Sequence, residues 1–255
     1  MLANEAAKQR RIIVRILISA KAPAPASALG NLLDALSKSG LLKETVLVGT
    51  AAHQCYSPLV GGAPPSAALT TQDADLATAS LALTSDTEGE PLETVLRRAD
   101  PTFRPIPALT RNAPPSSFRS ASGFFVDLLT PLLRRDDPNP MPLATLMAGA
   151  VPLQHLRWLM ESPVPAVALH GSGIALKVPT PARYAIHKLI IAQKRATDRG
   201  KRQKALLQAK ALIEALRVTD QRALRDTYDD ACGQGDQGWR HPIERSLSEL
   251  QLSVA

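Results

Sequence analysis

The sequence predicts a mixed α/β protein, and three observations carry that expectation. Thr45 to Val48 is a β-branched run that ends in Gly49-Thr50 and passes into a helix-like stretch over Ala51 to Tyr56. Phe124 to Leu129 and the paired runs Val164 to Leu169 and Ile174 to Val178 read as strands, the pair turned by His170-Gly171-Ser172-Gly173. From Pro181 onward the pattern turns helical, with proline at the first turn, over Tyr184 to Arg195 and then Lys201 to Leu216. The 21 Pro and 14 Gly punctuate the chain into short elements rather than a long bundle.

The remaining elements follow in order. Leu2 to Ser19 reads as an amphipathic helix, and Ser27 to Ser39 as a second helix with Ser27 as its cap and a stop at Gly40. Leu69 to Ala77 alternates in the manner of a strand, behind a loop marked by Gly61-Gly62 and Pro64-Pro65. Asp100 to Gly123 reads as loop. No internal repeat is present, and a composition shift near Pro179 marks the best domain boundary.

The 255 residues, 45% hydrophobic and 21% charged, bury about 70 to 75% of the unfolded surface on folding, which excludes disorder as the main state. Aromatic residues make up only 4%, so the chain is not built on base-stacking or carbohydrate-stacking platforms. Cys55 and Cys232 stand far apart without a C-x-x-C partner, which excludes a disulfide framework and a cysteine zinc site and suits a reducing cytoplasm. No apolar run is long enough to span a membrane, and no membrane partner is expected. Arg15 interrupts the one short stretch that looks like a signal peptide.

Net charge is +7, and it is concentrated. Between Arg183 and Arg217 ten Lys or Arg stand against Asp198 and Glu214, so this stretch carries +8 and the rest of the chain −1. Such a face attracts polyanions such as a nucleoside triphosphate or RNA; the plainer reading is a solvated helix surface.

The segment Thr70-Thr71-Gln72-Asp73-Ala74-Asp75-Leu76-Ala77 carries the most chemistry. In a strand, Asp73 and Asp75 share a face about 6.6 Å apart along the chain, with Ala74 and Leu76 toward the core. Two like charges on one face raise one pKa unless a cation sits between them, and a Mg²⁺ with oxygen ligands keeps both ionised. Asp127, in Val126-Asp127-Leu128-Leu129, is a lone carboxylate in an apolar strand and needs a partner. If the two strands are neighbours, three carboxylates converge as in a two-metal site. Upstream, Gly49 permits close backbone approach, Thr50 offers a hydroxyl, and the following helix start supplies free N–H groups for a phosphate.

The order of these parts, a Gly turn at a helix start, Asp-x-Asp, then a single Asp on a later strand, resembles the DNA polymerase beta-like nucleotidyltransferase superfamily. More closely, the stretch from Thr45 to Leu216, with VLVGTAAHQCY, LTTQDADLA, FFVDLLTP and VPTPARYAIHKLIIAQKR, looks like an uncharacterised bacterial family of that fold, distantly similar to nucleotidyltransferase-type toxins. The resemblance implies a nucleotidyltransferase-fold mixed sheet flanked by helices over residues 41–179, preceded by N-terminal helices over 1–40 and followed by a helical region over 180–255. It implies a cytoplasmic enzyme that moves a nucleoside monophosphate from an NTP, such as ATP, to an acceptor hydroxyl on RNA, protein or a small molecule. Asp73, Asp75 and Asp127 would be the catalytic, metal-binding residues, holding two Mg²⁺ ions, with Mn²⁺ an alternative. Gly49 and Thr50 would touch the triphosphate. The chain departs from the superfamily in having Gly-Thr rather than Gly-Gly or Gly-Ser, and in a longer spacer before Asp73.

At 100° per residue Tyr184, Lys188, Ile191 and Arg195 fall within about 60° of one another. Lys188 or Arg195 can then meet nucleotide phosphates and Tyr184 can pack near the base; alternatively Tyr184 and Ile191 are core. His187 reads as a packed or capping histidine. His53 stands next to the Gly turn without a placed partner. Ser172 lacks the spacing of a nucleophile elbow and reads as a turn residue. Two rival functions remain: a non-catalytic nucleic-acid-binding or toxin-antitoxin protein using the 183–217 face, and an NTP sensor without turnover.

Overall fold

The computed structural model describes residues 2–62, 78–83, 90–108, 113–132, 139–195 and 197–254. The described residues divide into a sheet unit (2–55 and 78–179) and a helical unit (56–62 and 180–254).

The sheet unit opens with α1 (Leu2–Ser19) and α2 (Ser27–Lys38). In α2, Leu29, Leu32, Leu33 and Leu36 recur at helical spacing and all are buried. Ser27 is the first helical residue rather than the cap. Ala26 occupies that place and makes no side-chain cap bond, while Gly40 ends the segment at φ 86°, a conformation that glycine adopts without strain. A short 3-10 turn leads to β1 (Thr45–Val48), four buried residues in a row, as expected of a strand covered on both faces. α3 follows at once (Gly49–His53), two residues earlier than the sequence pattern suggests.

The sheet runs β1-β2-β5-β4-β3, with β2 (Thr78–Leu83), β3 (Arg104–Pro105), β4 (Ser117–Arg119) and β5 (Phe125–Pro131). β1 pairs antiparallel with β2, β2 parallel with β5, and β5 antiparallel with β4. The far half of β5 pairs parallel with β7 (Ala148–Leu153), which pairs with β6 (Met141–Leu143). The stretch from Asp100 to Gly123, expected to be loop, thus contributes two strands. They are two and three residues long, too short to show a period of two. The strand expected over residues 69–77 lies outside the described residues. The described strand β2 begins immediately after it.

Between the strands lie α4 (Leu92–Ala99) and α5 (Leu156–Leu159). A separate hairpin, β8 (Val164–Ala168) with β9 (Ile174–Val178), turns through Gly171 and Gly173 at φ 61° and 83°. Ser172 sits in that turn. The hairpin meets α2 through a close approach: a Cβ on Gly30 would lie 2.2 Å from His170 Nδ1, so only glycine fits there.

The helical unit is α6 (Pro181–Lys194), α7 (Arg199–Thr219), α8 (Gln221–Gly233) and α9 (His241–Leu250). Each of the first three is capped by a side chain at its start. Thr180 Oγ1 accepts from Arg183 N at 3.3 Å, and Asp198 and Asp220 accept from Lys201 N and Ala223 N, both at 3.0 Å. Ser246 Oγ bridges α9 to α6, donating to the Leu189 carbonyl at 2.8 Å while Gln193 Nε2 donates to it. No described helix is long and apolar enough to cross a membrane.

Candidate functional site

One row of backbone pairings crosses the sheet: Val48 on β1 faces Ser80 on β2, Ser80 faces Asp127 on β5, and Asp127 faces Ser117 on β4. With strands about 4.8 Å apart, Val48 and Asp127 lie about 10 Å from each other. Gly49 is the next residue after Val48, so the turn into α3 leaves the sheet two strands from Asp127. Gly49 takes φ 71°, in the left-handed region, which explains why this turn carries glycine. Val48 is extended and the chain coils at once, leaving Thr50 in the first turn of α3.

β5 alternates half-buried and buried from end to end, and this places Asp127. Val126 and Leu128 point into the core, 0% and 1% exposed, while Phe125, Asp127 and Leu129 lie on the other, half-buried face. The sequence expectation put a carboxylate inside an apolar strand at high cost. The structure gives a different account of its partner: Ser117 Oγ donates to Asp127 Oδ1 at 2.6 Å, and the face is only partly covered. A serine hydroxyl fixes the carboxylate's rotamer without neutralising it. Oδ2 accepts no hydrogen bond among the described residues.

Asp73 and Asp75 lie outside the described residues. In the chain, Asp75 precedes Thr78, the first residue of β2, by three positions, and β2 pairs directly with the strand of Asp127. Among the described residues no group of three His, Cys, Asp or Glu stands close enough to hold a metal ion. As a donor set Asp73, Asp75 and Asp127 are hard carboxylate oxygens, which suit Mg²⁺ or Mn²⁺ and not a soft-ligand metal. Asp127, with one oxygen steadied by Ser117 and the other open, fits that use.

Tyr184, Lys188 and Arg195 belong to α6 and its C-terminal cap in the helical unit. Tyr184 is 1% exposed; its hydroxyl donates to Gln208 Oε1 on α7 at 3.1 Å, and its ring meets Tyr56 edge-on at 4.9 Å between centroids. Burial pushes its phenol well above the usual tyrosine range, against the opposing charge of Arg195, so the hydroxyl stays a neutral donor. Lys188 is also buried and places its ammonium 5.0 Å from the Tyr184 ring centroid, a cation–π contact one helical turn on. Burial lowers the pKa of the neighbouring Lys194.

The other residues singled out by sequence fall in packed positions. His53 is 1% exposed on α3, and His187 is half-buried on α6. Both cysteines are free and buried, and burial drives the Cys55 thiol up to about 12, so it is no nucleophile at neutral pH. Two cations of the basic stretch pair with acids from later helices: Arg183 with Asp230 at 3.2 Å and Arg202 with Glu249 at 2.5 Å. Sequence reasoning missed Ser117. Its only local signal is a place in a Pro-Ser-rich stretch, and its pairing with Asp127 is set by the fold.

The family model described as nucleotidyltransferase matches residues 27–233. No curated protein and no solved structure matches the chain.

Proposed function

Because the chain belongs to the nucleotidyltransferase family, we propose that it moves a nucleoside monophosphate from an NTP to an acceptor hydroxyl, releasing pyrophosphate, at the end of the sheet where Gly49 and Asp127 come together. The observation that carries this reading is the row Val48–Ser80–Asp127–Ser117, which brings the glycine turn and a hydroxyl-steadied carboxylate within two strands of each other. In the reaction the acceptor oxygen forms a bond to the α-phosphorus, the bond between the α- and β-phosphates breaks with its electrons leaving on pyrophosphate, and the hydroxyl proton is released to water.

Asp73, Asp75 and Asp127 are the residues that would hold divalent cations, Mg²⁺ or Mn²⁺. A bound cation there supplies charge stabilisation for the attacking and leaving oxygens. The chain's own groups supply alignment, which for two reactants held in register is a large share of catalysis. Gly49 lets the triphosphate approach the backbone, and the Thr50 hydroxyl and the first amides of α3 donate to it. Asp127 faces the acceptor hydroxyl, with Ser117 keeping its carboxylate from turning away. Within the helical unit the Tyr184 ring holds the Lys188 ammonium in place.

The test is label transfer. Purified protein with Mg²⁺ is offered each of four α-labelled NTPs and a host lysate fractionated into protein, RNA and small molecules, beside Asp73→Ala/Asp75→Ala. Label in one fraction only with the intact acids is the expected result. Transfer undiminished in the double variant overturns the assignment of the acids. Binding of NTP without turnover in the native protein favours the sensor alternative.

A further inference from the structure

The face of the sheet that carries Asp127 continues into residues that nucleotidyl transfer does not use. Cross-strand partners in an antiparallel pair project to one face, with Cα atoms about 4.5 to 5.5 Å apart. The row next to Asp127 pairs Phe125 with Arg119, and Arg119 with Arg104. Two guanidinium groups and an aromatic ring therefore share a face with Asp127 and Ser117, one side-chain step of about 6.6 Å away. The step leads toward the end of the sheet where β1 gives way to Gly49, since Val48 is level with Ser80 and the neighbouring row contains Thr78.

Like charges directly opposite on paired strands repel. Among the described residues neither arginine forms an ion pair, although Asp127 shares the face one step away. The Arg119 guanidinium carbon lies 5.1 Å from the Phe125 ring centroid. Arg104 spends Nη1 on the carbonyls of Pro101 and Phe103 at 2.8 and 2.7 Å, which pins the guanidinium in place and leaves its other N–H donors unengaged among the described residues. Asp100, close by in sequence, is taken by Thr102, whose hydroxyl and amide donate to it at 2.6 and 2.8 Å and hold its carboxyl below the usual range. Both arginines are exposed, while the opposite face of these strands, with Phe118 and Val126, is core. Among the described residues β3 is an end of the strand order, so the row is open on that side.

We infer that this row seats the acceptor, and that the acceptor is a single-stranded nucleic acid whose terminal hydroxyl is delivered to Asp127. The inference rests on the nucleotidyl-transfer reading of Asp127. Arginine forks match phosphate oxygens, and two of them side by side suit consecutive backbone phosphates. A guanidinium plane backed by a ring is a surface on which an unpaired base stacks. A small-molecule acceptor needs a cavity that covers most of its surface, and an open strand row offers none. A protein acceptor presents its hydroxyl among side chains of either sign, whereas every backbone phosphate of a nucleic acid is an anion that answers these two cations.

The experiment is fluorescence anisotropy of the full chain with a labelled single-stranded RNA of about twelve mixed nucleotides, without NTP or Mg²⁺, over a series of salt concentrations. The native protein binds. R104Q/R119Q binds about tenfold or more weakly, and its slope of log affinity against log salt is smaller by about 1.4, at about 0.7 per lost phosphate contact on a single strand. NTP affinity of R104Q/R119Q by calorimetry is unchanged, as is its thermal midpoint. Neutralising two cations of α7 instead, K201Q/K210Q, leaves RNA affinity as it was. The inference is overturned if the native chain does not bind, if R104Q/R119Q binds undiminished, if K201Q/K210Q produces the loss, or if R104Q/R119Q loses NTP instead. Loss of RNA in R104Q/R119Q with no label transfer by the native chain would sink the transfer reading and leave the arginine row as a nucleic-acid site.

Discussion

In the helical unit cations meet acids across helices, Arg183 on α6 with Asp230 on α8 and Arg202 on α7 with Glu249 on α9. In the sheet unit Arg104 and Arg119 face each other and neither forms an ion pair among the described residues, while Asp127 answers a hydroxyl. The buried polar groups divide the same way. The hydroxyl of Tyr184 and that of Ser246 are spent on joining helices, whereas Ser117 is spent on holding one carboxylate at the sheet's surface. Charge that is satisfied internally builds the molecule, and charge left open marks where a ligand belongs. The sequence places the larger charge excess at 183–217, whereas the Arg104–Arg119 row emerges only from strand register.

The comparison breaks most sharply at Tyr184. Tyr184→Ala removes a fully buried ring and its hydrogen bond to Gln208, and should cost about 3 to 5 kcal/mol in urea unfolding of the whole chain. A loss below about 1 kcal/mol would mean that the helical unit does not depend on that contact. Ser117→Ala comes next, with the opposite signature. Turnover falls about tenfold, close to 1.4 kcal/mol of barrier, while KM for the NTP and the thermal midpoint hold and Ser117→Thr restores most of the rate. An equal fall in stability would make Ser117 merely structural. Tyr184→Phe isolates the hydroxyl and should cost about 1 kcal/mol.

The smallest effect is at Arg202–Glu249, where both side chains are partly exposed, so the pair contributes about 0.5 kcal/mol or less. The Arg202 hydrogen bonds hold the Glu249 carboxyl below its ordinary value of 4.5. A depressed folded pKa gives stability that is present above the unfolded value and lost as pH falls through the folded one. The gap between the native chain and Arg202→Gln should therefore be full at pH 7 and close on acidification below about pH 4. A gap that widens in acid contradicts this.

Much of the fold was legible because several elements are long enough to show their period. β5 alternates over seven residues, α2 repeats leucines at helical spacing, and the β8–β9 hairpin announces itself by two glycines. β3 and β4 were not legible, since two or three residues carry no period and their pairing is decided by residues six to fifteen positions away. The same limit applies to the site. Gly49 and Asp127 can be picked out as residue types, but Ser117 and the Arg104–Arg119 row exist only once register is fixed. Tyr184 and Lys188 were correctly placed on one helix face, and the alternative that made Tyr184 core agrees with its burial, whereas the burial of Lys188 was not expected. Asp73 and Asp75 rest on spacing and chain order.

The most direct measurement is pyrophosphate release by Asp127→Asn beside the native chain, in Mg²⁺ with saturating NTP and the labelled acceptor fraction, with thermal unfolding of both proteins in the same buffer. The substitution keeps size and the bond to Ser117 but removes the charge that a cation and the reacting hydroxyl need. The account predicts a fall of about a thousandfold or more, with thermal midpoints that coincide within about 2 °C. Turnover within a few-fold of native would contradict it, and would move the centre of the chemistry away from this end of the sheet.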